Sequence, residues 1–302
     1  MNFKDQAEQF LKTAQTRKRN PIKTSTVRKY ESSLTHVLPL FGTRDLADVN
    51  NNALKTLVSK LAADGLSAST IVGVVAVVKL VVASAVNDQG EELYPRTWNH
   101  EFIDLPVIDQ KSQKAPVAGA QAISQAIRHA DGQDKALYAL LAGSGLRGGE
   151  ALALYVGPDD GVKSTWNPET GIVYVRSTLT RDGESSPKTT AGIRQVDLSP
   201  ELNAYLIAAL APVEGHPMFH PIREMTAYDR LKKVGIPGFH SFRRFRLTHL
   251  RKSVVRESLI KIWMGHANES VTDRYDKISD DISARKEFAV KAGLGFELPR
   301  TA

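Results

Sequence analysis

The 302-residue chain has no cysteine, which excludes a disulfide framework, a thiol nucleophile and a zinc–thiolate site. An apolar leader is missing as well: Asp5 and Glu8 follow soon after the start, so export is not expected. Leu66 to Val86 is the one long apolar run, and Lys79 interrupts it. A membrane span needs about 20 predominantly apolar residues, and a charge in its middle is costly. The run reads instead as a buried helix with Ser67 or Ser69 at its N-cap. No Gly-x-x-x-x-Gly-Lys-Ser/Thr loop, internal repeat or low-complexity tract is present, and no carboxylates stand at metal-ligand spacing. His216 and His220 are each followed by a proline, Pro217 and Pro221, that interrupts any helix, so neither a metal nor a cofactor is expected.

What the sequence does have is basic charge in one place. Forty Lys and Arg against 33 Asp and Glu give +7 and a pI near 9.4. Residues 1–110 hold 13 basic and 12 acidic side chains, whereas 111–302 hold 27 and 21. Within 223–261, 11 Lys and Arg face only Glu224, Asp229 and Glu257. Such a run is ordinarily a solvated helix face. Here Phe239, Phe242, Phe245, Leu247, Leu250, Ile260, Ile262 and Trp263 interleave with it. One face must therefore enter a core, and the other would project guanidinium groups suited to a polyanion.

Periodicity predicts helices over about 3–15, 24–39, 51–63 and 68–87, together a helical domain over 1–105. Prolines 95, 106 and 116 and the polar run between the last two predict a linker at 106–117. Residues 118–302 then read as a second domain. Helices are expected at 119–131, 133–143, from Glu150 to Tyr155, at 200–211, 224–234, 240–252, 256–264 and 268–275, and near 281–292. Strands at 171–178 and 192–198 imply a small antiparallel sheet. The expected fold is mainly α with that sheet.

Several residues could handle a phosphodiester. Arg147 lies in Gly145-Leu-Arg-Gly-Gly-Glu150, where glycines let backbone approach a ligand. His240 and Arg243 share a helix face at i, i+3. His266 follows Gly265, Tyr275 lies nine residues on, and Lys188 tips the strand connection. Singly, each has an ordinary structural explanation. In this order, Arg…Lys…His-x-x-Arg…Gly-His…Tyr, the chain resembles the tyrosine recombinases, the family of phage integrases and Xer-type recombinases. The match runs through 140–276, with Lys188-Thr189 ahead of Arg194-Gln195-Val196. Residues 24–87 resemble more loosely the family's helical core-binding domain. Where the family often has His-x-Leu-Arg-His, this chain has Phe242 and Arg244.

The resemblance implies a site-specific DNA recombinase that cleaves and rejoins strands through a 3′-phosphotyrosine without metal or ATP. Tyr275 would be the nucleophile, Arg147 and Arg243 the phosphate clamp, and Lys188 the general acid. His240 would be the base or orienting group, and His266 would hydrogen-bond a phosphate oxygen. Glu150 reads as a structural i+3 partner of Arg147 or of a neighbouring amide. Thr26, Arg28, Ser69, Thr70 and Lys79, at helix starts or on helices that face DNA in the family, are expected phosphate contacts, as are Arg244 and Arg246. The expected partners are double-stranded DNA with an inverted-repeat core site and three further copies of the chain in a synaptic tetramer, in the cytoplasm. With helical text beginning almost at once, a separate arm-binding domain is not expected. A type IB topoisomerase-like relaxing enzyme and an inactive DNA-binding protein on the same scaffold are the competing readings.

Overall fold

A computed structural model describes residues 1–19, 21–109, 116–187, 189–219, 224–266 and 277–300, with backbone alone for 224, 225 and 277. The chain divides into two compact units, 1–113 and 114–302.

The first unit contains α1 (Phe3–Thr16), α2 (Thr24–Phe41), α3 (Asn51–Ala63), α4 (Ala68–Ala83) and the single-turn α5 (His100–Ile103). Asn2, Asn50 and Ser67 cap α1, α3 and α4, each side chain accepting from a backbone N–H three residues on. In α4, Ile71, Val74, Val75, Val77, Val78, Val81 and Val82 are buried, because α1, α2 and α3 all pack on it. That accounts for its membrane-like sequence; no described helix is long and apolar enough to cross a membrane. It stops at Ala83 rather than at the expected 87. The Ser84 hydroxyl donates to Val81 O at 2.7 Å and accepts from Gln6 at 2.9 Å, and Asn87 then closes a turn on the amides of Gln89 and Glu91.

In the second unit, α6 (Ala120–His129) and α7 (Asp134–Ser144) lead through Gly145 to the short α8 (Gly148–Leu152). Helix α7 is buried on all sides from Ala136 to Ser144. It packs on α6, α9 (Pro200–Leu210) and α11 (Phe239–Lys252). Between them, β1 (Tyr155–Val156), β2 (Thr165–Asn167), β3 (Ile172–Val175) and β6 (Arg194–Asp197) form a sheet in that order. β1 pairs parallel to β2 and the other pairs are antiparallel, with Val173 opposite Val196 and Val175 opposite Arg194. β4 (Thr178–Thr180) and β5 (Gly183–Ser185) form a separate hairpin. The sheet is thus mixed rather than wholly antiparallel. Two- and three-residue strands are too short to show the alternation by which a sequence announces a strand.

Helices α10 (Glu224–Lys233), α11, α12 (Glu257–Met264) and α13 (Ile282–Ala292) complete the unit. The helix expected at 268–275 lies outside the described residues. The aromatic and aliphatic side chains of the basic region enter the core: Phe239, Phe242, Leu250, Ile260 and Trp263 are buried. Helix α13 docks on its own unit. Arg285 reaches Asp197 of β6 through Nε at 3.0 Å, and the same carboxylate accepts from the Trp263 indole at 2.8 Å.

Candidate active site

The site is assembled where α7, α8, α11 and α12 end or begin near β6. Gly145 caps α7 in the left-handed region at φ 75°, where a Cβ would also lie 2.5 Å from the Met264 side chain. The chain then turns so that Arg147 stands as the N-cap of α8. At Gly149 a Cβ would lie 2.4 Å from the Leu179 carbonyl oxygen. Only glycine lets α8 sit this close to β4.

Glu150, in the first turn of α8, is 2% exposed and holds two arginines. Its Oε2 accepts from the Arg147 backbone N–H at 2.9 Å and its Oε1 from Arg147 Nη1 at 2.7 Å. Arg194, buried on β6, donates from Nη1 to Oε1 at 3.1 Å and from Nη2 to Oε2 at 2.8 Å. Burial alone would raise the carboxyl's pKa. The Arg194 hydrogen bonds and charge, with those from Arg147, outweigh it and hold the group at about 2.

Arg243 is buried on α11 and donates from Nη1 to Gly145 O at 2.8 Å and from Nη2 to Met264 O. Burial first, then the charges of Arg147 and Arg194, bring its guanidinium down to about 10, so it stays charged at neutral pH. His240, in the first turn of α11, and His266, just past the left-handed Gly265 that ends α12, are both exposed. Both imidazoles titrate below the ordinary 6.5, through partial burial and then the charge of Arg243, with Arg147 adding to the effect.

Arg147, Glu150, His240, Arg244 and His266 line one cleft of about 1130 Å³. Arg243 stands behind its wall. Arg251 and Lys261 add positive charge to the lining, although Arg251 is paired with Glu257 at 2.7 Å. Tyr275 and Lys188 lie outside the described residues, as does His220. No group of three metal-ligating side chains occurs among the described residues.

The remaining candidates divide. Arg246 cannot contact a phosphate as expected: it is 2% exposed, its Nη1 donates to Gly293 O at 2.6 Å, and burial lowers its pKa to about 10. One turn from Arg243 along α11, it faces the core. Arg244 is partly exposed and also donates to Pro116 O at 3.2 Å. In the first unit, Thr26 and Arg28 lie near the start of α2, and Ser69 and Thr70 in the first turn of α4, where both hydroxyls lie within 3.1 Å of Ser67 Oγ. Lys79 Nζ is 3.0 Å from His100 Nε2 and 5.5 Å from the centre of the Trp98 ring, and its burial lowers its pKa. Sequence reasoning gave Arg194 no role. The available signal was its place two residues before Val196, on the same face of β6.

No protein-family model matches the chain, and no curated protein does. Solved structures do. The Tn1549 transposon integrase, in complex with transposon right end DNA, superposes with a TM-score of 0.65 at 21% identity, over 95% of this chain and 98% of that one. A lambda integrase dimer bound to a COC' core site gives 0.59 at 15% identity, over 91% and 95%. A lambda integrase tetramer bound to a Holliday junction gives 0.63 at 14%, over 93% and 81%. These neighbours are tyrosine recombinases. The chain has their fold. The integrase fold thus extends over both units, the helical one and the one that carries the cleft.

Proposed function

We propose that the chain is a site-specific DNA recombinase that breaks and rejoins strands through a tyrosine nucleophile. One observation carries the reading: Arg147, His240 and His266, far apart in sequence, open on a single cleft with Arg243 buried behind its wall and the buried Glu150 carboxylate locked between two arginines. Such a cleft suits a phosphodiester. Arg147, open on the cleft, can neutralise the non-bridging oxygens as charge builds on them, while Arg243 adds positive charge from behind the wall. Imidazoles kept neutral by partial burial and then by the neighbouring arginines can accept a proton, or donate a hydrogen bond, at physiological pH.

In this reading the Tyr275 phenol loses its proton, with His240 as base or orienting group, and its oxygen attacks phosphorus. The bond to the 5′ oxygen breaks, and Lys188 supplies that oxygen's proton. The phosphotyrosine conserves the energy of the broken bond, so a 5′-hydroxyl from another strand can reseal it by the reverse steps. His266 donates to a phosphate oxygen. Residues 1–105 serve as the DNA-clamping domain and 118–302 as the catalytic domain, on a core site of inverted repeats bound by four copies. The lambda integrase tetramer on a Holliday junction is a precedent for that assembly.

The test is a nicked suicide duplex that releases a short strand on cleavage. The wild-type chain should accumulate a covalent protein–DNA complex, and Tyr275→Phe should bind the same duplex without forming one. A 5′-bridging phosphorothiolate, whose leaving group needs little protonation, should rescue Lys188→Ala. Failure of the wild type to trap any duplex drawn from the DNA flanking its gene would refute the reading.

A further inference from the structure

The Arg194 side chain is nearly inaccessible, with 3% of its surface exposed, so it cannot touch DNA. Even so, it makes four hydrogen bonds, three of them to segments distant in sequence. Besides the two to Glu150, Nε donates to Trp263 O at 2.8 Å and Nη1 to Gly192 O at 3.0 Å. We propose that Arg194 is a positioning residue for the reaction: one guanidinium sets Arg147, through Glu150, and His266, through the end of α12, in a fixed relation. This rests on the functional reading above.

The two arms differ in kind. Toward Arg147 the link is ionic. Each oxygen of Glu150 accepts one bond from Arg147 and one from Arg194, so the carboxylate cannot rotate without breaking both pairs. The Arg147 guanidinium is tethered through Nη1 while its side chain stays 41% exposed toward the cleft. Toward His266 the link is a helix cap. The left-handed Gly265 ends α12 and leaves its last carbonyls without helical partners. Arg194 takes Trp263 O, and Arg243 takes Met264 O. Packing tightens this arm further, since a Cβ on Gly265 would lie 3.0 Å from both Ala191 O and the Arg194 side chain. The residue immediately beyond is His266.

Lysine cannot replace this group. It has three donors diverging from one nitrogen, whereas the observed bonds leave three nitrogens in one plane, two of them parallel toward a carboxylate. Arg194→Lys therefore keeps the charge and loses the geometry. In single-turnover trapping on the suicide duplex, its rate at saturating DNA should fall by about a hundredfold, the effect of misplacing reacting groups by about 1 Å. The half-saturating DNA concentration should stay within about twofold, because Arg194 touches no DNA. Arg285→Gln is the control for plain destabilisation: Arg285 is equally buried and also bound to a carboxylate, Asp197. It should lower the thermal midpoint by at least as much and keep the trapping rate. Adding Glu150→Gln to Arg194→Lys should cost less than the two single effects multiplied, since both act along one arm.

A second measurement needs no catalysis. In the free protein, the Arg147 guanidinium and His266 imidazole resonances should both move in Arg194→Lys, while the exposed His216 ring stays put. Stationary resonances overturn the positioning role whether or not the wild type cleaves DNA; so does wild-type cleavage by Arg194→Lys, or an equal rate loss in Arg285→Gln. A wild type that never traps DNA while both resonances move would instead refute the recombinase reading and leave the geometric one standing.

Discussion

Replacing Glu150 with Gln tests the electrostatic centre of the site without changing its volume. The carboxylate titrates at about 2 in the folded chain against an ordinary 4.5, so its ionised form contributes about 3 kcal/mol at neutral pH. The amide offers one acceptor where the carboxylate has two, and it turns an NH₂ donor toward arginine donors, so Glu150→Gln should lose about that much or slightly more. Because the folded pKa lies below the unfolded one, the stabilisation is complete above about pH 4.5 and disappears as pH falls toward about 2. Urea unfolding followed by tryptophan fluorescence reports on the second unit, where Trp166 and Trp263 are fully buried. Measured between pH 7 and pH 2.5, the difference between wild type and variant should hold near 3 kcal/mol down to about pH 5 and shrink below it. Other carboxylates cancel in the difference. A gap under about 1 kcal/mol at pH 7, or one that stays level to pH 2.5, would refute the claim that this carboxylate is ionised and clamped.

Three further outcomes are expected. Arg244→Ala should reduce the salt dependence of DNA binding by about one counterion, whereas the buried Arg246→Ala should leave that slope unchanged and lower the unfolding midpoint, both read from binding isotherms at several salt concentrations and from a melt. His240 and His266 should titrate below 6.5 by NMR, and Arg147→Ala should raise both, since removing a neighbouring positive charge favours the imidazolium. Gly149→Ala should destabilise the second unit by about 1–3 kcal/mol in urea and slow covalent trapping, because a methyl 2.4 Å from Leu179 O forces β4 away from α8.

Most of the helices were legible because each pairs an amphipathic or apolar pattern with a clear start. Asn2, Asn50, Ser67, Ser199 and Asp281 all cap with their side chains, and those residue types before an apolar run are a local signal. The parallel β1–β2 pair was illegible for the converse reason: Tyr155 and Val156 owe their strand geometry to Thr165 and Trp166 ten residues on. Within α11, spacing put Arg243 and His240 on one face, but it could not tell that Arg246 turns inward while Arg244 stays at the surface. Charge predicts exposure on average. Arg246 departs from the average because a carbonyl of the chain's last segment, Gly293 O, lies where its guanidinium ends. Arg194 escaped for the same reason, since Glu150 and Trp263 O reach it only in three dimensions.

The placement of Arg243 shows how a cation can be buried without being cancelled. A carboxylate partner would hold it firmly but would leave no net charge for a substrate. Its two recorded bonds go instead to Gly145 O, at the C-terminal cap of α7, and Met264 O, at the end of α12. Each helix end carries roughly half a negative charge in its dipole, enough together to stabilise a guanidinium in the interior while leaving its formal charge uncompensated. Burial still lowers its pKa, but only to about 10, so deprotonation does not compete at neutral pH. With Arg147 and Arg194 sharing Glu150 and both histidines held toward neutrality, these groups keep a surplus of two positive charges. That sign and size suit a phosphodiester, which arrives with one negative charge and concentrates it on the non-bridging oxygens as the attacking and leaving oxygens exchange.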